Sequence, residues 1–151
     1  MKKIFFILIF PFSLMAQIQV TEQEDLIKFY TIGKFKYSDR SKGELKYAVH
    51  GTDTSVVLGY RNEKYQTIND QKSIIFKGGA KEVEQLYQLF QTFYNEANKD
   101  NKEFEQKIKL GKTDVLISKK KSFGMKCVFV WTEEGYFTMS MANVNELFSK
   151  K

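Results

Sequence analysis

From position 83 to 97, the apolar residues Val83, Leu86, Tyr87, Phe90, Phe93, Tyr94 and Ala97 recur at steps of three and four. Glu82, Glu84, Gln88, Gln91 and Asn95 fall between them. This spacing lays one apolar stripe along about four helical turns, and only a sheet or a second helix can cover it. The residues ahead of it follow a different period. Leu45, Tyr47 and Val49 alternate with Lys46, Ala48 and His50, as a half-buried strand requires. The chain is therefore expected to be α+β, with antiparallel sheets and two helices in one compact domain. Its 151 residues suffice for one such domain and hardly for two. An aromatic content of 15% with a single Pro suits a β-rich core rather than a linker or a rod.

The pattern predicts further strands over Ser55 to Tyr60, Tyr65 to Asn69 and Ser73 to Lys77, with turns at 51–54 and 61–64. Gly78-Gly79 ends the extended stretch, and Asn98 to Asn101 closes the helix. Alternation then restarts. Phe104, Ile108 and Leu110 alternate with Glu105, Lys107 and Lys109, and Val115 to Lys119 is extended. Lys120 to Gly124 is expected to turn, Met125 to Trp131 to form a strand, and Tyr136 to Met141 to return after the hairpin loop 132–135. Asn143 is the expected N-cap of a last helix carrying Val144, Leu147 and Phe148. Ahead of all this, Thr21-Glu22-Gln23-Glu24 has capping-box spacing for a short helix over Glu22 to Tyr30, and Phe35 and Tyr37 mark a short strand.

Both halves thus read strand-strand-strand-strand-helix, as units 44–98 and 105–151. At a constant offset of 61, Glu44, Lys46, Thr52, Asp53, Phe76, Val83 and Leu86 meet Glu105, Lys107, Thr113, Asp114, Phe137, Val144 and Leu147. A tandem ββββα duplication is the expectation. It would place residues 44–50 and 105–110 at equivalent edges of two related sheets. In the order of its elements the chain is similar to the PUR-type and Whirly-type single-strand nucleic-acid binders.

The first residues read as an address. Met1-Lys2-Lys3 is a cationic start, Ile4 to Phe12 an apolar run, and Ser13-Leu14-Met15-Ala16 a more polar stretch ending in a small residue. This order resembles bacterial Sec signals ending in Ala-Gln, so cleavage is expected between Ala16 and Gln17. A membrane anchor is disfavoured: Ile4 to Ala16 counts 13 residues, interrupted by Pro11, against the roughly 20 a spanning helix needs. The mature chain, 17–151, is expected to be one domain without a transmembrane segment, in the periplasm or secreted.

Conventional catalytic chemistry finds little material. Cys127 and His50 are the lone Cys and the lone His, too few for a zinc cluster of those two types. Cys127 is expected to face the core with Phe129 as a small hydrophobe. Asp53 and Asp114 sit at turns, where Asp favours the bend, and Glu133-Glu134 in a solvated loop. Gly78-Gly79 lacks the remaining residues of a phosphate loop and reads as a strand-to-helix turn. No metal or cofactor is expected.

Charge is more telling. Residues 17–98 carry 11 Lys and Arg against 11 Asp and Glu, while residues 99–151 carry 11 Lys against 7 acids. Removing Lys2 and Lys3 lowers the net charge from +6 to +4, all of it in the second half. The candidate binding residues are Lys107, Lys109, Lys119, Lys120, Lys121, Phe123 and Lys126. Basic residues interleaved with aromatics hold anionic polymers by phosphate contact and stacking; the plainer alternative is a solvated lysine surface. The expectation is an exported, non-enzymatic domain of the cell envelope or extracellular space that binds an anionic polymer or a protein partner. A small hydrolase with a carboxylate site and a single-strand nucleic-acid binder are the alternatives.

Overall fold

The computed structural model describes residues 26–37, 40–65, 67–98, 101, 103–122 and 125–150. The expected signal segment with Ala16 and Gln17, the 21–25 part of the expected early helix, and Phe123 lie outside the described residues. Four strands, β1 (Lys28–Tyr37), β2 (Arg40–His50), β3 (Asp53–Arg61) and β4 (Gln71–Lys77), meander into one antiparallel sheet, followed by α1 (Ala80–Thr92). Strands β5 (Glu105–Leu110), β6 (Thr113–Ser122), β7 (Met125–Thr132) and β8 (Gly135–Met139) form a second such sheet, followed by α2 (Met141–Leu147). The α+β class and the ββββα order of each half stand as expected.

The boundaries differ in instructive ways. Lys28 to Tyr30 begin β1 instead of ending a helix, because their backbone pairs with Tyr47 to Val49 of β2. Residues 65 and 67–69, the described part of the expected strand Tyr65 to Asn69, form no strand and lie between β3 and β4. Lys120 and Lys121 do not turn but continue β6 beyond Lys119, paired with Cys127 and Lys126. Ser140, not Asn143, caps α2: its hydroxyl accepts from Asn143 N, and the Asn143 side chain reaches back to Ser140.

The extra strand also alters the comparison between halves. Phe76 and Phe137 lie on β4 and β8, while Val83 with Leu86 and Val144 with Leu147 lie on α1 and α2. The offset of 61 therefore joins like elements there. Residues 44–50, however, belong to β2, inside the first sheet, whereas β5 is an edge strand of the second. Those two stretches do not hold equivalent edges.

One core serves both units. Phe35, Leu45, Val56, Leu58, Tyr60, Ile74 and Phe76 of the first sheet are buried with Val115, Ile117, Val128, Val130, Phe137 and Met139 of the second. Val83, Leu86 and Phe90 of α1 and Val144 and Leu147 of α2 enter the same cluster. Tyr60 stacks on Phe137 across it, with ring centroids 4.6 Å apart. Just after α1, the Tyr94 hydroxyl accepts from Val128 N (3.2 Å) and donates to Met139 O (2.8 Å). Burial pushes this phenol above its ordinary pKa, so it stays protonated and able to donate.

A polar seam locks the two sheets at one end. Asn62, with no exposed surface, donates to Asp70 Oδ2 (2.8 Å) and Glu134 O (3.0 Å) and accepts from Lys64 N and Tyr136 N. Next to it, Glu63 N donates to Tyr136 O, and the Glu63 carboxylate accepts from Thr138 and from the Lys42 ammonium. The stretch Asn62-Glu63 thereby covers the outer edge of β8. A side chain at Gly135 would overlap Asn62, which is why glycine stands there.

Candidate binding face

Strand register decides which side chains can act together. In the second sheet, Ile117, Val128, Val130, Phe137 and Met139 fill the core, so residues of opposite parity point the other way. One row across that outer face runs Lys107, Leu116, Trp131, Tyr136, each register partner of the next. The next row runs Glu105, Ser118, Phe129, Thr138. Both helices send their buried residues into the core on the far side.

The three aromatics of this face form a layer. Trp131 and Tyr136 have ring centroids 4.5 Å apart at 36°, and Phe129 lies 5.9 Å from each with interplanar angles near parallel. Trp131 Nε1 donates to Ser118 Oγ (3.2 Å), so the indole is held at its polar atom as well as by its neighbours. Beside it opens a shallow trough of about 610 Å³, lined among others by Lys107, Lys109, Asp114, Leu116, Trp131 and Glu133. Lys109 Nζ stands 3.5 Å from Asp114 Oδ1.

The candidate lysines do not share one surface. Lys107 and Lys109 are exposed at the trough. Lys119 is only 8% exposed and its ammonium donates to Asn98 O (2.7 Å), a carbonyl released beyond the end of α1. Lys121 and Lys126 are exposed register partners at the far end of β6 and β7, on the parity of Lys119. Lys120 occupies the position opposite Cys127, and its side chain, like Phe123, lies outside the described residues. Alternation along a strand has split a run that would have stayed together in a turn.

Cys127 is buried, as expected, but not where expected. It shares a face with Phe129 and Trp131, on the side of the sheet away from the core between the two sheets. Desolvation pushes its thiol above the ordinary value, with the Glu63 carboxylate adding to the shift and Lys42 opposing it. A raised pKa leaves little thiolate, the reactive form. Thiol reagents at neutral pH are expected to label the native chain slowly and the urea-unfolded chain rapidly; fast native labelling would contradict this assignment. His50, exposed at the end of β2, stands on the other sheet.

The Gly78-Gly79 turn offers no anion site. The Glu82 carboxylate accepts from Gly79 N at 2.7 Å and fills the start of α1, its pKa lowered by that backbone bond. Asp70 and Glu134 face Lys72 at 3.6 and 4.0 Å, an arrangement that belongs to the seam. The residues of this face that the sequence did not single out are Leu116, Phe129, Trp131 and Tyr136. Their signal is in β7, MKCVFVWT, whose two alternating sets are both apolar although only one can face the core. No family model, no curated protein and no solved structure matches this chain.

Proposed function

We propose that this chain is an exported, non-enzymatic binding protein of the cell envelope or extracellular space, and that it holds a polymer across the outer face of its second sheet. The row Lys107, Leu116, Trp131, Tyr136 beside an open trough is the observation that carries this reading. A rigid aromatic layer offers a stacking surface with little side-chain freedom to lose, and a flanking cation adds attraction for polar ligands. The order of charged, apolar and small residues over positions 1–16 supports export. Among the described residues no helix is long and apolar enough to cross a membrane.

Two measurements test the proposal. The exported product is expected to have an intact mass beginning at Gln17, allowing for cyclisation of an N-terminal Gln; a membrane-embedded product retaining Met1 overturns export. Trp131 is the only tryptophan, so its fluorescence reports on this face alone. Titration with single-stranded DNA, a polyuronate and neutral polysaccharides is expected to shield it from acrylamide for whichever class binds. Binding that leaves Trp131 quenching unchanged places the site elsewhere. A turnover product from any of these polymers would favour the hydrolase, and binding of single-stranded DNA alone the nucleic-acid binder.

A further inference from the structure

We infer that the trough on the second sheet selects a saccharide without net charge, a narrowing that rests on reading this face as the binding face. The lining supplies two ammonium groups, Lys107 and Lys109, and two carboxylates, Asp114 and Glu133, so its charges cancel. Lys109 already stands against Asp114. A polymer with an anion on every unit needs cations in series, yet the row that crosses the sheet has one lysine followed by Leu116, Trp131 and Tyr136. The other candidate lysines stand apart from that row: Lys119 donates to Asn98 O, Lys121 and Lys126 lie on the opposite parity, and Lys120, at a register position of this face opposite Cys127, is two rows away.

A sugar ring matches what remains. Its C–H face stacks on an aromatic plane, while its hydroxyls both donate and accept. Carboxylates accept from hydroxyls and ammonium groups donate to them, and the trough places both kinds beside the indole. The indole is half-buried and lines the trough, with Ser118 holding its nitrogen and Phe129 and Tyr136 packed against its rings. Its volume of about 610 Å³ lies within the usual range of ligand clefts.

Calorimetric titration of the mature chain with hexasaccharides of glucose and of N-acetylglucosamine, a polyuronate and a single-stranded oligonucleotide tests the inference. A neutral hexasaccharide is expected to bind with nearly the same affinity at low and high salt. The salt slope should stay well under the 0.7–0.9, roughly, of a single phosphate contact. Trp131→Ala is expected to weaken binding about tenfold or more, Trp131→Phe to restore most of it, and Lys107→Gln to leave the fold and melting temperature unchanged. Silence from both neutral hexasaccharides overturns the inference. Salt-dependent binding of only the polyuronate or oligonucleotide, still sensitive to Trp131→Phe or Trp131→Ala, removes the saccharide and keeps the face. Binding insensitive to both Trp131 variants, each shown folded by its melting curve, removes the face as well.

Discussion

Asn62→Ala is expected to lower the unfolding free energy by about 3–5 kcal/mol, read from urea denaturation. The size follows from how many partners one side chain serves. Truncation removes the acceptor of Lys64 N and Tyr136 N and the amide that donates to Glu134 O and Asp70 Oδ2, leaving the Asp70 carboxylate its ion pair with Lys72, at a residue with no exposed surface. A buried polar group left without its partner costs about 1–3 kcal/mol, less where water can enter. Asn62→Asp sharpens the test through pH. It puts a new carboxylate where Asn62 Nδ2 now meets Asp70 Oδ2 at 2.8 Å. Repulsion raises the folded-state pKa of this pair above its unfolded value, so the deficit is full at neutral pH and shrinks as pH falls through the carboxylate range. A loss under about 1 kcal/mol for Asn62→Ala, the size of an ordinary surface change, would show that the seam is ornamental.

The second large effect uses two glycines as a matched pair. Gly51 closes the turn between β2 and β3 at φ +57°, and Gly111 closes that between β5 and β6 at φ +61°. Both lie in the left-handed region, where an L-residue loses about 1–2 kcal/mol. They differ in surroundings. A Cβ at Gly51 would meet nothing within 4 Å, whereas one at Gly111 would overlap the Ile75 carbonyl of β4. Gly51→Ala should therefore show the conformational cost alone. Gly111→Ala should lose about 2–5 kcal/mol, since a backbone obstacle adds an overpacking cost of about 1–3. Equal losses in the two variants would mean that the β5–β6 turn does not bear on β4.

How far these features were readable in the chain depended on whether their cause was local. The stripe from Val83 to Ala97 declared α1, although the helix ends at Thr92, and period-two alternation declared β2, β3 and β8, because each of these elements buries one face. The strand β1 was hidden. Its register shifts between Thr31 and Gly33 push Ile32 out of step, so alternation breaks where the pairing bends. Tyr65 to Asn69 carries strand-forming residues, yet the seam takes the flanking Asn62 and Asp70, and residues 65 and 67–69 between them form no strand. The lysine run at 119–121 looks solvated in sequence; that a carbonyl beyond α1 awaits Lys119 is a tertiary fact. The aromatic face escaped for a related reason. Both sides of β7 are apolar, and sequence alone does not say which one the core takes.

The seam also dictates an order of events in folding. Asn62 and Glu134 are 72 residues apart, and Glu63 and Thr138 are 75. Closing a loop of that length costs chain entropy before any of its contacts repay it. Meandering strands within each sheet form locally, but the bonds that cap β8, and the shared core behind them, await the last stretch of the chain. A ribosome that has delivered only the first unit has delivered a sheet whose inner face, with Leu45, Leu58 and Ile74, still lacks its partner. Proteins dominated by such distant pairings fold slowly for their size. In this chain the slow step should be the docking of two partly formed sheets, and pulse-labelled hydrogen exchange would find the amides of Tyr136 and Thr138 among the last to be protected.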